Sequence, residues 1–137
     1  MSSSLKYILS ILSGCLIGIS IRFPSLVFLT WVGFIPLFLA LQNTNLKSSA
    51  LLGLTSGITS SFFMLIWILP TASNYMGDSI LGGPLAFLII AFLYSIKFAL
   101  FALLYTWLTS SIKRTSILHI LLVPAIWAGL EYLNAIS

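Results

Sequence analysis

Long apolar runs separated by short polar stretches make up most of this 137-residue chain. A transmembrane α-helix needs about 20 predominantly apolar residues, and five runs reach or approach that length. Polar stretches such as QNTNLKSS and TSSIKRTS separate the runs, and Pro24 and Pro70 interrupt them because proline cannot continue a helix. The pattern predicts an all-α membrane protein, a polytopic bundle of about five transmembrane helices. These helices cover residues 5–21, 26–41, 50–69, 84–108 and 117–136.

Composition strengthens the membrane assignment. Hydrophobic residues make up 60% of the chain and charged residues 6%, with a mean hydropathy of +1.16. A soluble domain of this size would lack the polar side chains needed to cover its surface. Two glycine pairs, Gly14 with Gly18 and Gly53 with Gly57, have the spacing that lets membrane helices approach closely, so we expect tight helix contacts within the protein.

The basic residues predict the orientation in the membrane. With the N-terminus in the cytoplasm, four of the five basic residues in loops or at helix ends lie inside and only Arg22 lies outside. The positive-inside rule therefore favours a cytoplasmic N-terminus and a C-terminus outside. Nucleic acid is not an expected partner, because only two basic residues are adjacent. The four residues placed inside are Lys6, Lys47, Lys113 and Arg114.

Two charges fall inside predicted membrane helices. Lys97 lies near the middle of the fourth helix and Glu131 in the outer half of the fifth. A charge near mid-bilayer costs at least about 2.5 kcal/mol, so each needs a compensating interaction. Counted from the predicted outer helix ends, Lys97 lies about 18 Å deep and Glu131 about 9 Å deep, which disfavours a direct ion pair. The favoured alternative is that Lys97 snorkels to the inner interface while Glu131 forms hydrogen bonds within the bundle.

No motif in the sequence indicates catalysis. It contains no Gly-x-Ser-x-Gly elbow and no phosphate-binding loop, and His119 has no ligand-spaced partner, so neither a metal nor a cofactor is expected. LSGC resembles a lipobox that would be lipidated at Cys15, but the apolar run continues past it, which favours a free cysteine inside the first helix. Asp78 follows Gly77 in a loop and is most simply a turn residue.

Four stretches share their order and spacing with one enzyme family. They are RFPSLVFLTWVGFIPLFLAL, GLTSGITSSFFMLIWI, the glycine-containing loop with AFLYSIKFALFALL, and VPAIWAGLEYL. Together they resemble the N-terminal membrane region of the apolipoprotein N-acyltransferases. The matching positions are Phe23, Pro24, Trp31, Pro36, Gly53, Gly57, Phe62, Trp67, Gly77, Tyr94, Pro124, Ala125, Trp127, Glu131 and Tyr132.

The resemblance implies a multi-pass protein of the bacterial inner (cytoplasmic) membrane. Enzymes of this family transfer an acyl chain from a membrane phospholipid to the α-amino group of a lipoprotein's diacylglyceryl-cysteine. Their Glu-Lys-Cys triad lies in an extracytoplasmic nitrilase-like domain, for which this sequence has no counterpart, and Cys15 does not match the nucleophile. The resemblance therefore implies a truncated or split form, inactive alone, with a separately encoded nitrilase-like domain and lipoprotein substrates as expected partners.

The sequence also departs from the family pattern and leaves other functions open. LNAIS stands where the family has an Arg-Gly pair, Asp78 stands at a common glycine, and Lys97 stands at an uncharged position. One alternative is a small transporter or channel that uses Lys97, Glu131 and Asp78 as a polar pathway. Another is a structural subunit of a larger membrane complex.

Overall fold

The structure is a computed structural model that describes residues 1–75, 81–110 and 117–136, with backbone alone described for 117–122 and 133–136. The described residues form helices and no strand, which confirms the all-α prediction. The elements are α1 (Ser3–Arg22), a 3-10 turn (Pro24–Leu26), α2 (Leu29–Gly33), α3 (Ile35–Leu41), α4 (Leu46–Leu65), α5 (Ile68–Tyr75), α6 (Gly82–Ser110) and α7 (Ile117–Ile136).

Helix length and composition agree with a membrane protein. Within the described residues, α1, α4 and α6 are long and apolar enough to cross a membrane, and residues Leu29–Leu41 form a shorter apolar stretch. α7 has 20 residues, which is also the length of a span. The orientation of these helices, with the N-terminus in the cytoplasm, stays a prediction.

The second predicted helix, residues 26–41, is not continuous in the structure. It is divided into the 3-10 turn, the five residues of α2 and the seven residues of α3. Pro36 lies in the first turn of α3, a position that proline favours because it has no N–H to donate to the preceding turn. Phe34 therefore stands at a junction between two short helices, with its ring directed to the core.

The third predicted helix, residues 50–69, is shifted toward the N-terminus. Asn45 has an extended backbone and its side chain accepts a hydrogen bond from Ser48 N at 2.8 Å, so the N-cap fixes the start of α4 at Leu46. α4 ends at Leu65. Pro70, expected to interrupt the run, instead lies in the first turn of α5, where a helix tolerates proline.

α4 lies between α1 and α6 and packs on both through small residues. On the α1 side, a Cβ added to Gly18 would lie 2.7 Å from the Ser60 carbonyl oxygen. On the α6 side, a Cβ added to Gly57 would lie 2.7 Å from Ser95 Cα. These distances are too short for any side chain, so the backbones are in direct contact. The tight contacts predicted from the glycine spacing are present.

Two serine hydroxyls of α1 form hydrogen bonds to neighbouring helices, one to α4 and one to α2. Ser10 Oγ of α1 donates to the carbonyl oxygen of Leu52 in α4, and Ser13 Oγ donates to the Gly33 carbonyl oxygen at 2.7 Å. Ser10 and Ser13 are fully buried. Interhelical hydrogen bonds of this kind stabilise membrane helices because lipid offers no competing partner.

Replacing Gly18 with alanine should destabilise the contact between α1 and α4. The new Cβ would meet backbone atoms of Ser60 and lie 2.9 Å from Phe63 Cβ, and overpacking of this kind costs about 1–3 kcal/mol. The free energy of unfolding, measured by SDS titration in detergent micelles with circular dichroism, should fall accordingly. Gly129→Ala is the matched control, because a Cβ there meets nothing within 4 Å. Equal stability of the two variants would contradict the packing described.

Candidate functional site

α6 and α7 run antiparallel and meet along one face. The Trp127 ring of α7 lies 5.5 Å from the Phe101 ring and 5.2 Å from the Phe98 ring, measured between centroids. Glu131 lies one turn after Trp127 on α7, and it contacts Lys97, which lies one turn before Phe101 on α6. Residue numbers therefore rise along α7 in the direction in which they fall along α6.

Lys97 and Glu131 form an ion pair across this interface. Lys97 Nζ donates to Glu131 Oε2 at 2.9 Å. The ammonium also lies 4.9 Å from the centre of the Tyr94 ring, within the range of a cation–π interaction. The Lys97 side chain is 16% exposed and that of Glu131 54% exposed, so the cation is enclosed while the carboxylate stands at the edge of the bundle.

The predicted depths disfavoured a direct ion pair between these charges, yet the structure contains one. The depths of Lys97 and Glu131 counted from the outer helix ends differ because the two helices have unequal lengths, 29 residues in α6 and 20 in α7. The end of α6 and the start of α7 follow each other in sequence and give a common reference. Lys97 lies 13 residues before Ser110, and Glu131 lies 14 residues after Ile117. At a rise of 1.5 Å per residue these distances are about 20 and 21 Å, so the two charges are level.

An aromatic cluster packs beside the ion pair, nearer the ends of α6 and α7 that adjoin in sequence. The Phe34 ring, at the junction of α2 and α3, lies 5.1 Å from Trp127 and 5.6 Å from Phe101, both in edge-to-face geometry. Phe98 and Phe101 are fully buried. Edge-to-face pairs are favourable beyond the area they bury, so the cluster fixes α7 against α6 and the α2–α3 junction. The six rings are those of Phe34, Phe38, Phe98, Phe101, Tyr105 and Trp127.

Replacing Trp127 with alanine should loosen α7. The substitution removes a ring that contacts Phe34, Phe98 and Phe101, and leaves a cavity between three elements. Such losses cost about 3–5 kcal/mol in soluble proteins. We expect about 2 kcal/mol here, because lipid solvates apolar groups as well as the core does. Trp31→Ala is the matched control, since Trp31 is 87% exposed; a similar fall in unfolding free energy for both variants would contradict the assigned role.

Comparison with known proteins assigns the chain to a family. A family model described as the apolipoprotein N-acyltransferase N-terminal domain matches residues 13–137. The chain belongs to this family. One curated relative, the apolipoprotein N-acyltransferase of Geobacter metallireducens, is 26% identical over 129 residues. That alignment covers 92% of this chain but 23% of the relative, so the chain spans about a quarter of the relative's length. No solved structure matches the chain significantly.

The positions that carry the resemblance to the N-acyltransferases fall into two groups in the structure. Five of them lie at contacts between helices, and these are Pro36, Gly53, Gly57, Tyr94 and Trp127. Glu131 joins Tyr94 and Trp127 along the α6–α7 contact through its bond to Lys97. The second group is exposed on the outside of the bundle and consists of Phe23, Pro24, Trp31, Phe62, Trp67, Pro124, Ala125 and Tyr132.

Several predicted positions lie outside the described residues. Gly77 and Asp78 belong to this group, as do Lys113 and Arg114. The backbone of His119 is described within α7, but its side chain is not. Among the residues that the structure does describe, no group of three potential metal ligands occurs.

Lys6 has a structural role that the sequence did not indicate. Its Nζ donates to the carbonyl oxygens of Gln42 and Asn43 at 3.0 and 3.2 Å and to Thr44 Oγ1 at 3.3 Å. Asn43 has a positive φ of 51°, which turns the chain sharply after α3 and directs these carbonyl groups toward α1. A cation at this place compensates the negative end of the helix dipole. Because the contact joins residues 36 to 38 positions apart, a local sequence pattern could not reveal it.

Proposed function

We propose that this chain forms the membrane-embedded part of an apolipoprotein N-acyltransferase in the bacterial cytoplasmic membrane. The observation that carries the proposal is the family match over residues 13–137. The N-acyltransferase activity of the Geobacter relative belongs to a protein about four times as long as the matched region. In this proposal the chain supplies the framework, and a nitrilase-like domain supplies the acyl-transfer chemistry.

The packing supports a positioning role for the family-motif residues. Gly57 brings α4 into backbone contact with α6, and Trp127 holds α7 against Phe98 and Phe101. Each of these residues therefore determines the relative placement of two helices. A framework defined in this way would keep constant the shape of the bilayer entry through which phospholipid and lipoprotein reach the catalytic domain.

The transporter or channel alternative is not favoured by the site. Lys97 and Glu131 bond to each other at 2.9 Å, which satisfies the charge of each without a translocated ion. Asp78, the third residue of that hypothesis, lies outside the described residues.

A hybrid enzyme tests the proposal directly. The full chain would replace the matched 129-residue region of the Geobacter enzyme, and the hybrid would be expressed in cells depleted of their own N-acyltransferase. Mass spectrometry of a reporter lipoprotein measures whether its α-amino group carries an acyl chain. We expect acylation by the hybrid and none by this chain expressed alone.

The same experiment includes outcomes that contradict the proposal. A hybrid with an unrelated helix bundle of the same length should be inactive. If the hybrid with this chain inserts stably but is equally inactive while the intact Geobacter enzyme acylates the reporter, the framework role is wrong. Acylation by this chain alone would instead contradict the assignment of the chemistry to another domain.

A further inference from the structure

A cavity of about 380 Å³ opens at the end of the bundle where α1 and α4 begin. Ser10 of α1 bonds to Leu52 of α4. Gly14, four residues later, packs on Ser56, so residue numbers rise together along both helices and the two helices are parallel. Their first turns therefore lie side by side. These turns and the chain segment before α4 form the wall of the cavity, to which Ser3, Lys6, Tyr7, Thr44, Asn45 and Ser48 contribute.

Lys6 places a positive charge at the wall of this cavity. Its ammonium group donates to two backbone carbonyl oxygens and to the Thr44 hydroxyl, none of which carries a full charge. Among the described residues the only ion pair is that of Lys97 with Glu131, so Lys6 has no counter-ion there. None of the described residues that line the cavity is acidic. The ammonium group is therefore fixed in position but is not paired with an anion.

Three hydroxyl groups around the cavity are available as hydrogen-bond donors. Ser3 Oγ, Tyr7 Oη and Ser48 Oγ line the cavity, and none of them forms a hydrogen bond within the described part of the chain. Each hydroxyl can donate one bond. A phosphate group has several anionic oxygens that accept such bonds, and bonds to a charged group are the stronger ones. One fixed cation and three free donors around a single cavity thus suit a phosphate group.

The neighbouring surface of α1 indicates a lipid as the source of that phosphate. Ser3, Tyr7 and Ile11 follow the four-residue spacing of one helix face. Ile11 is 44% exposed, so this face changes from hydroxyl-bearing at the cavity to apolar further along α1. The 20 residues of α1 extend over about 30 Å, which matches the hydrocarbon core and places its first turn at the level of the lipid head groups. A lipid with its phosphate in the cavity would have its acyl chains beside Ile11.

We propose that this cavity binds the phosphate group of an anionic phospholipid in the leaflet that surrounds the start of α1. Lys6 supplies the charge, and the hydroxyls of the cavity wall donate to the phosphate oxygens. With the predicted cytoplasmic N-terminus, this is the inner leaflet, on the opposite side from an extracytoplasmic nitrilase-like domain. The bound lipid is therefore a structural ligand of the bundle and is distinct from the acyl donor.

Spin-labelled lipids test the preference for an anionic head group. The full chain would be reconstituted in phosphatidylcholine vesicles with a trace of spin-labelled phosphatidic acid or, in a parallel sample, of spin-labelled phosphatidylcholine. Electron paramagnetic resonance measures the fraction of label that the protein immobilises, which gives the relative association constant of each lipid. We expect phosphatidic acid to associate about fivefold more strongly, the effect of one basic side chain on an anionic lipid.

Three variants locate the binding site. Lys6→Gln removes the charge but keeps a hydrogen-bond donor, and it should remove the preference for phosphatidic acid. Ser48→Leu fills the cavity and leaves the bonds of Lys6 in place, so it should also remove the preference, and it decides the test if Lys6→Gln does not fold. Lys47→Gln is the matched control, because Lys47 has the same charge at the start of α4 but does not line the cavity. This control should retain the preference.

Four results would overturn the proposal. The first two are equal association of both lipids with the unmodified chain and a preference that survives in Ser48→Leu. The third is an equal loss in Lys6→Gln and Lys47→Gln, which would indicate a diffuse attraction to basic side chains. The fourth is saturable binding of inorganic phosphate to the chain in neutral detergent without a lipid preference in vesicles, which would identify the free anion as the ligand. The assay contains no acyl-transfer step, so its failure leaves the proposed N-acyltransferase role to be decided by the hybrid enzyme.

Discussion

Replacing Gly53 with leucine is expected to separate α4 from α6 and to prevent the bundle from folding. A Cβ at this position would overlap the Phe98 carbonyl oxygen and lie 2.7 Å from Ala102 Cβ and 2.9 Å from Ala99 Cα. These groups are backbone atoms or a Cβ, which cannot rotate away as the end of a long side chain could. Overpacking costs about 1–3 kcal/mol for extra methylenes, and a whole leucine side chain exceeds that range.

The unfolding free energy in detergent micelles measures this effect. Gly129→Leu provides a matched control, because the same side chain enters open space on the outer face of α7. We expect the control to retain its folded circular-dichroism signal and its SDS midpoint, while Gly53→Leu loses both. A folded Gly53→Leu variant with an unchanged midpoint would show that α4 and α6 are not in backbone contact.

Replacing Glu131 with leucine is expected to have the second largest effect. The substitution leaves Lys97, whose side chain is 16% exposed, without its counter-ion inside the membrane region. An unpaired cation there costs at least about 2.5 kcal/mol. Lys97→Leu should cost less, because the remaining carboxylate is 54% exposed already in the ion pair, whereas the cation is enclosed.

A double-mutant cycle separates the interaction energy between Lys97 and Glu131 from the effect of each single substitution on stability. Replacing both partners of a buried ion pair with apolar residues is often neutral, whereas removing one is costly. We therefore expect Lys97→Leu/Glu131→Leu to recover most of the stability lost in Glu131→Leu. If the two single effects simply add, the side chains do not interact, and the cation–π contact with Tyr94 alone would hold Lys97.

Apolar run length and glycine spacing predicted the helical membrane fold and the close approach of its helices. Run length is informative because it must match the bilayer, and glycine spacing is informative because only small residues permit backbone contact. Helix boundaries were predicted less well. Asn45 sets the start of α4 through a side-chain cap, and Pro36 divides the second segment because it suits the first turn of a new helix.

The ion pair shows why contacts between helices were harder to predict. Both charges were identified from the sequence, but their relative depth depended on helix ends that hydrophobicity does not define to within a turn. An error of a few residues moves a side chain by several ångströms along the helix, which is enough to make or remove an ion pair. Lys6 illustrates the same limit, since its partners lie 36 to 38 residues away in a turn formed by Asn43.

The serine- and glycine-rich surface of α4 also has a consequence for biosynthesis. Of the three described helices that are long and apolar enough to span a membrane, α4 has the lowest mean hydropathy, and it lies between α1 and α6. A translocon releases a helix into lipid according to its apolar character. α4 is therefore expected to leave the translocon slowly when no other helix of the chain lies beside it. α1, synthesised earlier, offers Gly14 and Gly18 as a docking surface, whereas the α6 surface is completed only after 45 further residues. Insertion of this chain should therefore be stepwise and cooperative, with α4 retained beside α1 until α6 arrives.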